Sequence, residues 1–256
     1  MRLAITFAVP SEFAMWRRHS GFSRIREAGA PIYAVHHGQD EIYALVTGVG
    51  ARGLDSELRR LFAKPVDLCI ASGVTGALKK EHRTGTILVA SATVAEANAN
   101  RIQSDPGLVD TAVLCGARVV DCFYTSGSVV NSRTDKRSLS EIADAVDMES
   151  FQIMDQARRA GIPAVALRAV SDSMDSNLPI DFNRVLDSRG QLIWSSMLLE
   201  LLRSPLQFVP FVRFSRDSLG AARNLSQFLE RYVNALRDLG NIQPVERRMG
   251  LPERCC

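Results

Sequence analysis

Lysine is scarce in this sequence, and the charges of the two signs nearly cancel. Of 256 residues, 31 are Lys or Arg and 28 are Asp or Glu, which gives a formal net charge of +3. Only four of the basic residues are lysines, namely Lys64, Lys79, Lys80 and Lys136, and arginine supplies the other 27. Acidic residues are interspersed with the basic ones, so the sequence lacks the basic stretch that is typical of nucleic-acid-binding proteins.

Cysteine is also infrequent, and its pattern argues against a disulfide scaffold. The five cysteines are an odd number and show neither a Cys-x-x-Cys motif nor a Cys/His spacing typical of zinc sites. The histidines have no partners at metal-ligand spacing, and we predict that His19, His36, His37 and His82 lie at the surface or in turns. We therefore expect a protein of the reducing cytoplasm that binds no metal and no cofactor.

Long hydrophobic runs are missing as well. Glu200 and Arg203 interrupt the most hydrophobic stretch, so no segment reaches the roughly 18 apolar residues of a transmembrane helix. The N-terminal segment reaches Glu12 without the small-residue cleavage site of a signal peptide, and it is predicted to form a strand. With 46% hydrophobic residues, a chain of this length buries a sizeable core without disulfides or metals.

Short apolar runs alternate with amphipathic stretches over the first two-thirds of the chain. This pattern is typical of an α/β domain whose central strands are buried on both faces. We predict one domain over residues 1–240, with a helical extension from about residue 180, and a poorly ordered tail over residues 241–256. The predicted strands are Leu3–Val9, Ile32–His37, Ile42–Val46, Leu68–Ser72, Thr86–Val94, Arg118–Thr125, Ala145–Met148 and Ala164–Val170. The predicted helices are Glu12–Ala28, Leu54–Phe62, Leu139–Ile142, Ser150–Ala160, the region from Gln191 onward and, within it, Leu219–Leu236.

Three glycine-rich segments follow predicted strands, and we interpret them as turns. They are Thr47–Gly53, Ser72–Leu78 and Ser126–Ser128. Small residues at the carboxyl ends of strands let backbone amides approach a ligand, although a single glycine turn is more often structural. None of the three has the pattern of a phosphate-binding loop or of a dinucleotide-binding fold.

Two acidic motifs follow predicted strands near the middle of the chain. Val146-Asp147-Met148-Glu149 precedes a predicted helix, and Leu167-Arg168-Ala169-Val170-Ser171-Asp172 ends the next buried strand. With these motifs at this separation, the sequence resembles the superfamily of purine nucleoside phosphorylases and methylthioadenosine/S-adenosylhomocysteine nucleosidases. The resemblance extends to Met1–Glu12 and to Ser72–Leu78. It implies an α/β domain with a central mixed, twisted sheet flanked by helices, extra C-terminal helices, and a homodimer.

Four segments narrow the resemblance to one branch of that superfamily. They are Ala145–Ser150, Leu178-Pro179, Arg203–Phe208 and Leu219–Leu225. Together they look most like the hopanoid-associated branch, which is thought to act on adenosylhopane. The implied substrate is therefore a purine nucleoside of the adenosine type with an apolar 5′ substituent.

The chemistry implied by the resemblance is cleavage of an N-glycosidic bond. Such a bond breaks through a transition state with a cationic sugar, so one group must stabilise the sugar and another must protonate the base. Asp172 is the implied general acid, which protonates the purine at N7 with the help of Ser171. The alternative is that Asp172 caps the N-terminus of a following helix.

Glu149 and Met148 are the implied ribose-binding residues. A carboxylate accepts two hydrogen bonds side by side, which suits the 2′- and 3′-hydroxyls, and Met148 packs against the sugar. The alternative for Glu149 is a residue of the first helical turn that interacts favourably with the helix dipole. Arg168 either organises the site electrostatically or pairs with a structural acid.

Glu12 distinguishes the two reactions of the superfamily. By resemblance, a glutamate just after the first strand activates water in nucleosidases, whereas phosphorylases hold phosphate with a glycine-and-arginine loop. This chain has Glu12, lacks that loop, and carries Val74 where phosphorylases have Ser or Thr. The resemblance also implies that Gly73 and Val74 contact the substrate. We therefore favour hydrolysis.

The purine is expected to bind at the loop Tyr124–Asn131. Relatives offer an aromatic residue and backbone groups to the base here, whereas this chain has Val129 and Val130. Tyr124 is predicted to belong to the core or the rim of the site rather than to the catalytic residues.

Two alternatives to a nucleosidase stay open. Phosphorolysis requires an atypical phosphate site, for which Thr75, Arg52 and Arg17 are the candidates. A nucleoside-binding protein that kept the fold without turnover is the other alternative, because Val74 and Val129 depart from the familiar pockets.

Apolar residues are concentrated near the C-terminus, at Leu198–Leu202 and Leu206–Phe214. Pro205 and Pro210 are expected to break the helix there. One interpretation is a helix that packs on the sheet or against a second copy of the chain. The other is an apolar cleft or membrane-facing patch that admits a lipid-like substituent, with the protein peripheral to the inner membrane face.

Overall fold

A mixed β-sheet forms the centre of the computed structural model, which describes residues 1–25, 31–51, 55–96, 98–187, 190 and 193–248. Within these residues ten strands belong to the sheet. They are β1 (Arg2–Phe7), β2 (Ser23–Arg24), β3 (Ile32–His37), β4 (Asp40–Val46), β5 (Leu68–Ala77), β6 (Ile87–Ala95), β7 (Asn98–Gln103), β8 (Arg118–Thr125), β9 (Ala145–Asp147) and β10 (Ala164–Asp172). The helices are α1 (Pro10–Ser20), α2 (Asp55–Phe62), α3 (Pro106–Leu114), α4 (Arg133–Leu139), α5 (Ser150–Arg159), α6 (Trp194–Arg203) and α7 (Phe208–Arg248). The expected α/β domain with a mixed sheet and C-terminal helices is confirmed.

Parallel pairing of three strands places their carboxyl ends side by side. β1 lies parallel to β5, with Ile5 opposite Ile70, and β5 lies parallel to β10. β9 runs antiparallel to β5, with Val146 opposite Gly76. This part of the sheet closes on itself. The successive pairs around the closed part are β5 with β10, β10 with β6, β6 with β8, β8 with β9 and β9 with β5. The residues that follow β1 and β9 therefore approach the last residues of β5 and β10.

The strands are buried on both faces because helices cover each side of the sheet. In β1, Leu3 and Ile5 face the core that contains Trp16 of α1 and Leu225 of α7, whereas Ala4 faces the core that contains α2 and α5. Continuous apolar runs are required wherever a strand has no solvent-facing side. This explains why the central strands were predictable from the sequence.

The C-terminal segment divides into a buried part and an exposed part. From Ala221 onward, α7 buries one face against the sheet, and the hydroxyl of Tyr232 donates a hydrogen bond to the carbonyl oxygen of Leu108 at 2.8 Å. The predicted break at Pro205 is present, since α6 ends just before it. The predicted break at Pro210 is wrong, because Pro210 lies in the first turn of α7, where backbone N–H groups have no intrahelical partner.

Other differences from the predictions have local causes. α1 ends at Ser20 because Gly21 adopts a left-handed conformation, with φ of 71°. The predicted helix Leu139–Ile142 is wrong; α4 precedes it, and the Ser132 hydroxyl oxygen accepts a hydrogen bond from the N–H of Asp135 at the start of that helix. Ser72–Leu78 was predicted as a turn but lies mostly inside β5.

Some predictions fall on residues that the structure does not describe. Arg52, Gly53 and Gln191 lie outside the described residues, as do residues 249–256 of the predicted tail; α7 extends to Arg248. Within the described residues, no helix combines the length and the apolar character needed to cross a bilayer.

Candidate active site

A cavity of about 270 Å³ opens where β1, β5 and β10 end. Most of the site residues predicted from the sequence line it. They are Glu12, Val74, Val129, Met148, Glu149, Ser171 and Asp172. Arg168 and Gly73 are not among the lining residues of this cavity, although both contact residues that line it.

Glu12 projects from the first turn of α1 back towards the end of β1. One carboxylate oxygen accepts hydrogen bonds from the backbone N–H groups of Ala8 at 2.8 Å and Val9 at 3.2 Å, and the other accepts one from Val74 at 3.0 Å. Burial raises the pKa of Glu12, and the guanidinium of Arg168 and the three N–H groups offset this only in part. The oxygen that accepts from Ala8 and Val9 has both acceptor sites filled, whereas the oxygen that accepts from Val74 keeps one free, so Glu12 can hold and deprotonate a water molecule there.

Arg168 is a fully buried cation that ties the acidic residues of the site together. Its Nε donates to Asp147 Oδ2 at 2.8 Å, and its Nη1 donates to the carbonyl oxygen of Ser72 at 2.8 Å. Its Nη2 lies 3.5 Å from Glu149 Oε2. Arg168 therefore pairs with Asp147 and also faces Glu149, and both of these acidic residues line the cavity.

Gly73 provides the space that Arg168 occupies. A Cβ atom at position 73 would overlap Nη1 of Arg168. This close approach explains a glycine inside a buried strand, where it otherwise weakens the strand.

Replacement of Gly73 by Ala is expected to destabilise the protein by roughly 1–3 kcal/mol, because the overlapping guanidinium is buried and fixed by its partners. The free energy of unfolding in urea measures this. Gly220→Ala is the matched control, since its added Cβ meets nothing within 4 Å and alanine favours a helix. Equal stability of Gly73→Ala and the wild type would contradict the spatial role of Gly73.

Glu149 lies at the N-terminus of α5, but its side chain does not cap that helix. Its Oε1 instead accepts a hydrogen bond from the N–H of Gly50 at 2.8 Å, and its other oxygen faces Arg168. Burial, with smaller contributions from Asp147 and Glu12, raises the pKa of Glu149 to about 7. Glu149 thus makes no capping hydrogen bond, although it lies at the positive end of the helix dipole of α5, and its carboxylate lines the cavity.

Asp172 ends β10, and no helix begins there. The following described residues form turns until a 3₁₀ turn at Phe182–Arg184, so Asp172 is not a helix cap. Its Oδ1 lies 2.7 Å from the hydroxyl oxygen of Ser171. Its Oδ2 accepts a hydrogen bond from Nζ of Lys136, a buried residue of α4 that also lines the cavity.

No motif in the sequence pointed to Lys136 as a site residue. Its contact with Asp172 joins residues 36 positions apart and depends on how α4 packs against the chain after β10. A single lysine in a charged, amphipathic segment is normally solvent-exposed, so only the three-dimensional packing identifies it.

The residues proposed for an atypical phosphate site do not assemble in the described part of the chain. The hydroxyl of Thr75 donates to the carbonyl oxygen of Val146 at 2.7 Å and has no hydrogen left for an anion. Arg17 is exposed and lies over the ring of Tyr33 at 4.5 Å. Arg52 lies outside the described residues.

Val129 presents its side chain to the cavity while its backbone is already paired. Its N–H donates to Asn183 Oδ1 at 2.8 Å, and its carbonyl oxygen accepts from Asn183 Nδ2 at 3.0 Å. Tyr124 packs with an apolar cluster that includes Cys122 and Val130, as expected for a core or rim residue.

One end of the cavity is apolar. Leu178, Phe182, Leu186 and Phe214 line this end, and the rings of Phe182 and Phe214 lie 5.4 Å apart. Because Phe214 belongs to α7, the C-terminal segment contributes to the cavity as well as to the core.

The histidines do not form a metal site within the described residues, where no group of three or more His, Cys, Asp or Glu has the required geometry. His82 was predicted at the surface or in a turn. It lies in a turn, where its backbone N–H donates to the carbonyl oxygen of Lys79 at 3.3 Å, but its side chain is buried rather than exposed, with Nε2 at 3.7 Å from Asp144 Oδ1.

Comparisons with known proteins agree with this architecture. A family model described as the phosphorylase superfamily matches residues 2–193. Similar solved structures include a futalosine hydrolase mutant of Helicobacter pylori, at 20% identity, 91% coverage of this chain, 99% coverage of that chain and a TM-score of 0.69. The 5′-methylthioadenosine/S-adenosylhomocysteine nucleosidase of the same organism is 20% identical, and that of Campylobacter jejuni is 17% identical. Both matches cover 91% of this chain and 98% of the other chain, with a TM-score of 0.69.

Proposed function

This chain belongs to the phosphorylase superfamily, and from that membership we propose that it hydrolyses the N-glycosidic bond of a purine nucleoside with an apolar 5′ substituent. One observation carries the proposal. Glu12, Glu149 and Asp172 line a single cavity together with Asp147, which is paired with Arg168, and one end of this cavity is apolar. The acids supply the chemistry, and the apolar end supplies the selectivity.

Each acid has a distinct task in the proposed reaction. Asp172 transfers a proton to N7 of the purine as the bond between C1′ and N9 breaks. Glu149 accepts hydrogen bonds from the 2′- and 3′-hydroxyls, which strengthen as the sugar becomes cationic. Glu12 takes a proton from water while the water oxygen bonds to C1′. The products are the free base and the 5′-substituted ribose.

Two features of the cavity favour water over phosphate as the nucleophile. The only hydrogen-bond donor that Val74 could offer to a phosphate is its backbone N–H, and this group already donates to Glu12. The hydroxyl of Thr75 is bonded to Val146. Phosphate binding requires several converging donors, and the carboxylate of Glu12 would repel the anion.

The apolar end of the cavity supports a large apolar 5′ substituent. Phe182 and Phe214 pack against each other there with tilted rings, in the same cavity as the acidic residues. The resemblance to the hopanoid-associated branch points in the same direction and suggests adenosylhopane as a substrate. Adenine is accordingly the proposed base.

Adenine release from a series of 5′-alkylthioadenosines of increasing chain length tests this function. We expect release without phosphate, and kcat/KM rising by up to about fourfold per methylene, which corresponds to about 0.8 kcal/mol per buried CH₂. Strict dependence on phosphate, or a preference for polar substituents, would overturn the proposal.

The pH dependence of kcat/KM is a second expected result. Glu149 must be ionised to stabilise the cationic sugar, so kcat/KM is expected to fall about tenfold per pH unit below about pH 7. The raised pKa of Glu12 acts in the same direction, because a protonated Glu12 cannot accept a proton from water.

Thermal unfolding at each pH separates this effect from denaturation. The pKa of Glu149 is higher in the folded protein than its ordinary value of 4.5, so between these two values the folded state binds the proton more tightly. Acidification from pH 7 to 5 therefore stabilises the fold through this group. An activity that stays constant down to pH 5 would contradict the assigned role of Glu149.

We also propose that an exposed apolar face beside the cavity contacts an anionic lipid surface. Leu206 is 91% exposed and Val209 is 68% exposed, and Phe208 lies between them. Arg203 and Arg213 are exposed on the same segment, where they complement the charge of anionic headgroups. Phe214, further along α7, lines the cavity, so the helix that carries this face also reaches the site.

Co-sedimentation with vesicles containing phosphatidylglycerol tests the lipid contact. The double variant Leu206→Ser/Val209→Ser is expected to lose binding, whereas Leu114→Ser, at an 86% exposed leucine of α3, is expected to keep it. Absence of wild-type binding would overturn the proposal. If the double variant instead dissociates a dimer, the face is the interface of the homodimer that the resemblance implies.

A further inference from the structure

Lys136 occupies an unusual position for a lysine. It is 1% exposed, whereas Lys64 and Lys79 are only partly buried and Lys80 is exposed. Its Nζ contacts Asp172 Oδ2 and donates to the carbonyl oxygens of Ser173 at 3.0 Å and Ser176 at 3.1 Å. A buried ammonium loses its hydration, and here three oxygen atoms replace it.

The contact with Lys136 affects the proton that Asp172 must donate. Both carboxylate oxygens of Asp172 accept hydrogen bonds, Oδ2 from Nζ of Lys136 and Oδ1 from the hydroxyl of Ser171, so the proton for the purine must reach Asp172 from a neighbouring donor. The ammonium itself carries the nearest transferable proton, and it lines the same cavity.

We propose that Lys136 supplies the proton that Asp172 passes to the leaving purine; the inference rests on the proposed function. As the bond from C1′ to N9 breaks, one N–H bond of the ammonium breaks and its proton moves to the Asp172 carboxylate. The carboxyl group delivers a proton to N7, and the electron pair of the broken glycosidic bond stays on the base. Lys136 is left as a neutral amine. The proton that Glu12 takes from water balances the cycle, and solvent restores both groups after product release.

The choice of lysine supports this role. Arginine supplies 27 of the 31 basic residues of the chain, yet a lysine contacts the proposed general acid. A guanidinium stays charged under all ordinary conditions, whereas a buried ammonium can give up its proton. Arg168, the other fully buried cation among the described residues, pairs with Asp147 and Glu149 and serves as a fixed charge.

Contacts around Lys136 fix its position, and the neighbouring charged groups do not compete with it for Asp172. The N–H of Arg133 donates to Asn177 Oδ1 at 2.8 Å, which fixes the start of α4 against the chain after β10. The other charged groups nearby have their own partners, since Asp135 bonds to Ser132 and Asp175 pairs with both Arg137 and Lys80.

Two substrates that differ only in their leaving group test the proposal. One is 5′-hexylthioadenosine, whose base must be protonated, and the other is a 4-nitrophenyl riboside with the same 5′ group, whose leaving group needs no acid. Lys136→Met and Lys136→Arg are both expected to lower kcat for the adenosine by at least ~10²-fold and to change kcat for the nitrophenyl riboside by less than about fivefold. Full activity of Lys136→Arg on the adenosine, or equal losses on both substrates, would show that the cation is only structural.

Chemical rescue of Lys136→Ala provides a second measurement, made at a temperature where circular dichroism shows this variant to be folded. Addition of methylammonium to Lys136→Ala is expected to restore adenine release, with larger rescue by more acidic ammonium ions and loss of rescue above the pKa of each amine. Rescue that is absent, or independent of amine acidity, would overturn the proposal. Failure of the wild type to release adenine at all would refute the proposed function itself, whereas a normal wild type with unaffected Lys136 variants would refute only this inference.

Discussion

Asp172→Asn is expected to lower kcat for purine release by at least ~10²-fold while the protein stays folded. Asparagine has the shape of aspartate but cannot donate a carboxyl proton to N7. Its amide oxygen can still accept hydrogen bonds from Ser171 or from Lys136, so the end of β10 keeps part of its local structure. Release of adenine from 5′-hexylthioadenosine measures the loss.

Asp175→Asn is the matched control for this variant. Asp175 lies three residues further along the chain, pairs with Arg137 at 3.2 Å and is half exposed, so its replacement should leave kcat unchanged. Asp172→Asn also leaves the buried ammonium of Lys136 without its anionic partner, and a lower melting temperature is expected for that reason. Wild-type kcat in Asp172→Asn would remove the proposed mechanism.

The sequence predicts the central strands well because their physical requirement is local. The strands Ile32–His37 and Arg118–Thr125 have the predicted bounds, and β10 extends its predicted range only by Ser171 and Asp172. β2 and β7 were missed because they are short or polar, as in Asn98–Gln103. β2 and β7 form because they pair with neighbouring strands, and the hydrophobic pattern of a sequence does not indicate which segments pair.

α3 was missed although its start carries a recognisable signal. Asp105 accepts a hydrogen bond from the N–H of Leu108, and Pro106 occupies the first turn. This combination of an N-cap aspartate and a following proline is typical of a helix start. The start of α3 was therefore predictable from Asp105 and Pro106 alone.

The site shows where sequence reasoning ends. Glu12, Glu149 and Asp172 were predicted from motifs, and the structure places them around one cavity. Contacts between residues far apart in the sequence could not be predicted. An example is the hydrogen bond from Arg168 to the carbonyl oxygen of Ser72, 96 residues away. Such contacts fix the electrostatics, because they decide which carboxylate faces which cation.

Two buried cations divide the acidic residues into groups with different tasks. Arg168 pairs with Asp147 and lies 3.5 Å from Glu149, where its charge lowers the pKa of Glu149 against the larger effect of burial, which suits the anionic role proposed for Glu149. Lys136 faces Asp172, where a proton must move. The fixed charge of Arg168 thus lies beside Glu149, and the proposed transferable proton of Lys136 lies beside Asp172, in the same cavity.

Glu12→Gln is expected to lower kcat by ~10²- to 10⁴-fold with little change in KM, because Glu12 acts on water rather than on the nucleoside. An amide cannot take the proton from water, and its NH₂ group must face one of the backbone N–H donors of Ala8, Val9 or Val74. A moderate loss of stability is therefore also expected, and the melting temperature monitors it. Glu96→Gln is the matched control, since Glu96 accepts a backbone hydrogen bond from Gly127 and does not line the cavity. Wild-type hydrolysis by Glu12→Gln would show that another group activates water, and activity restored by phosphate alone would favour phosphorolysis.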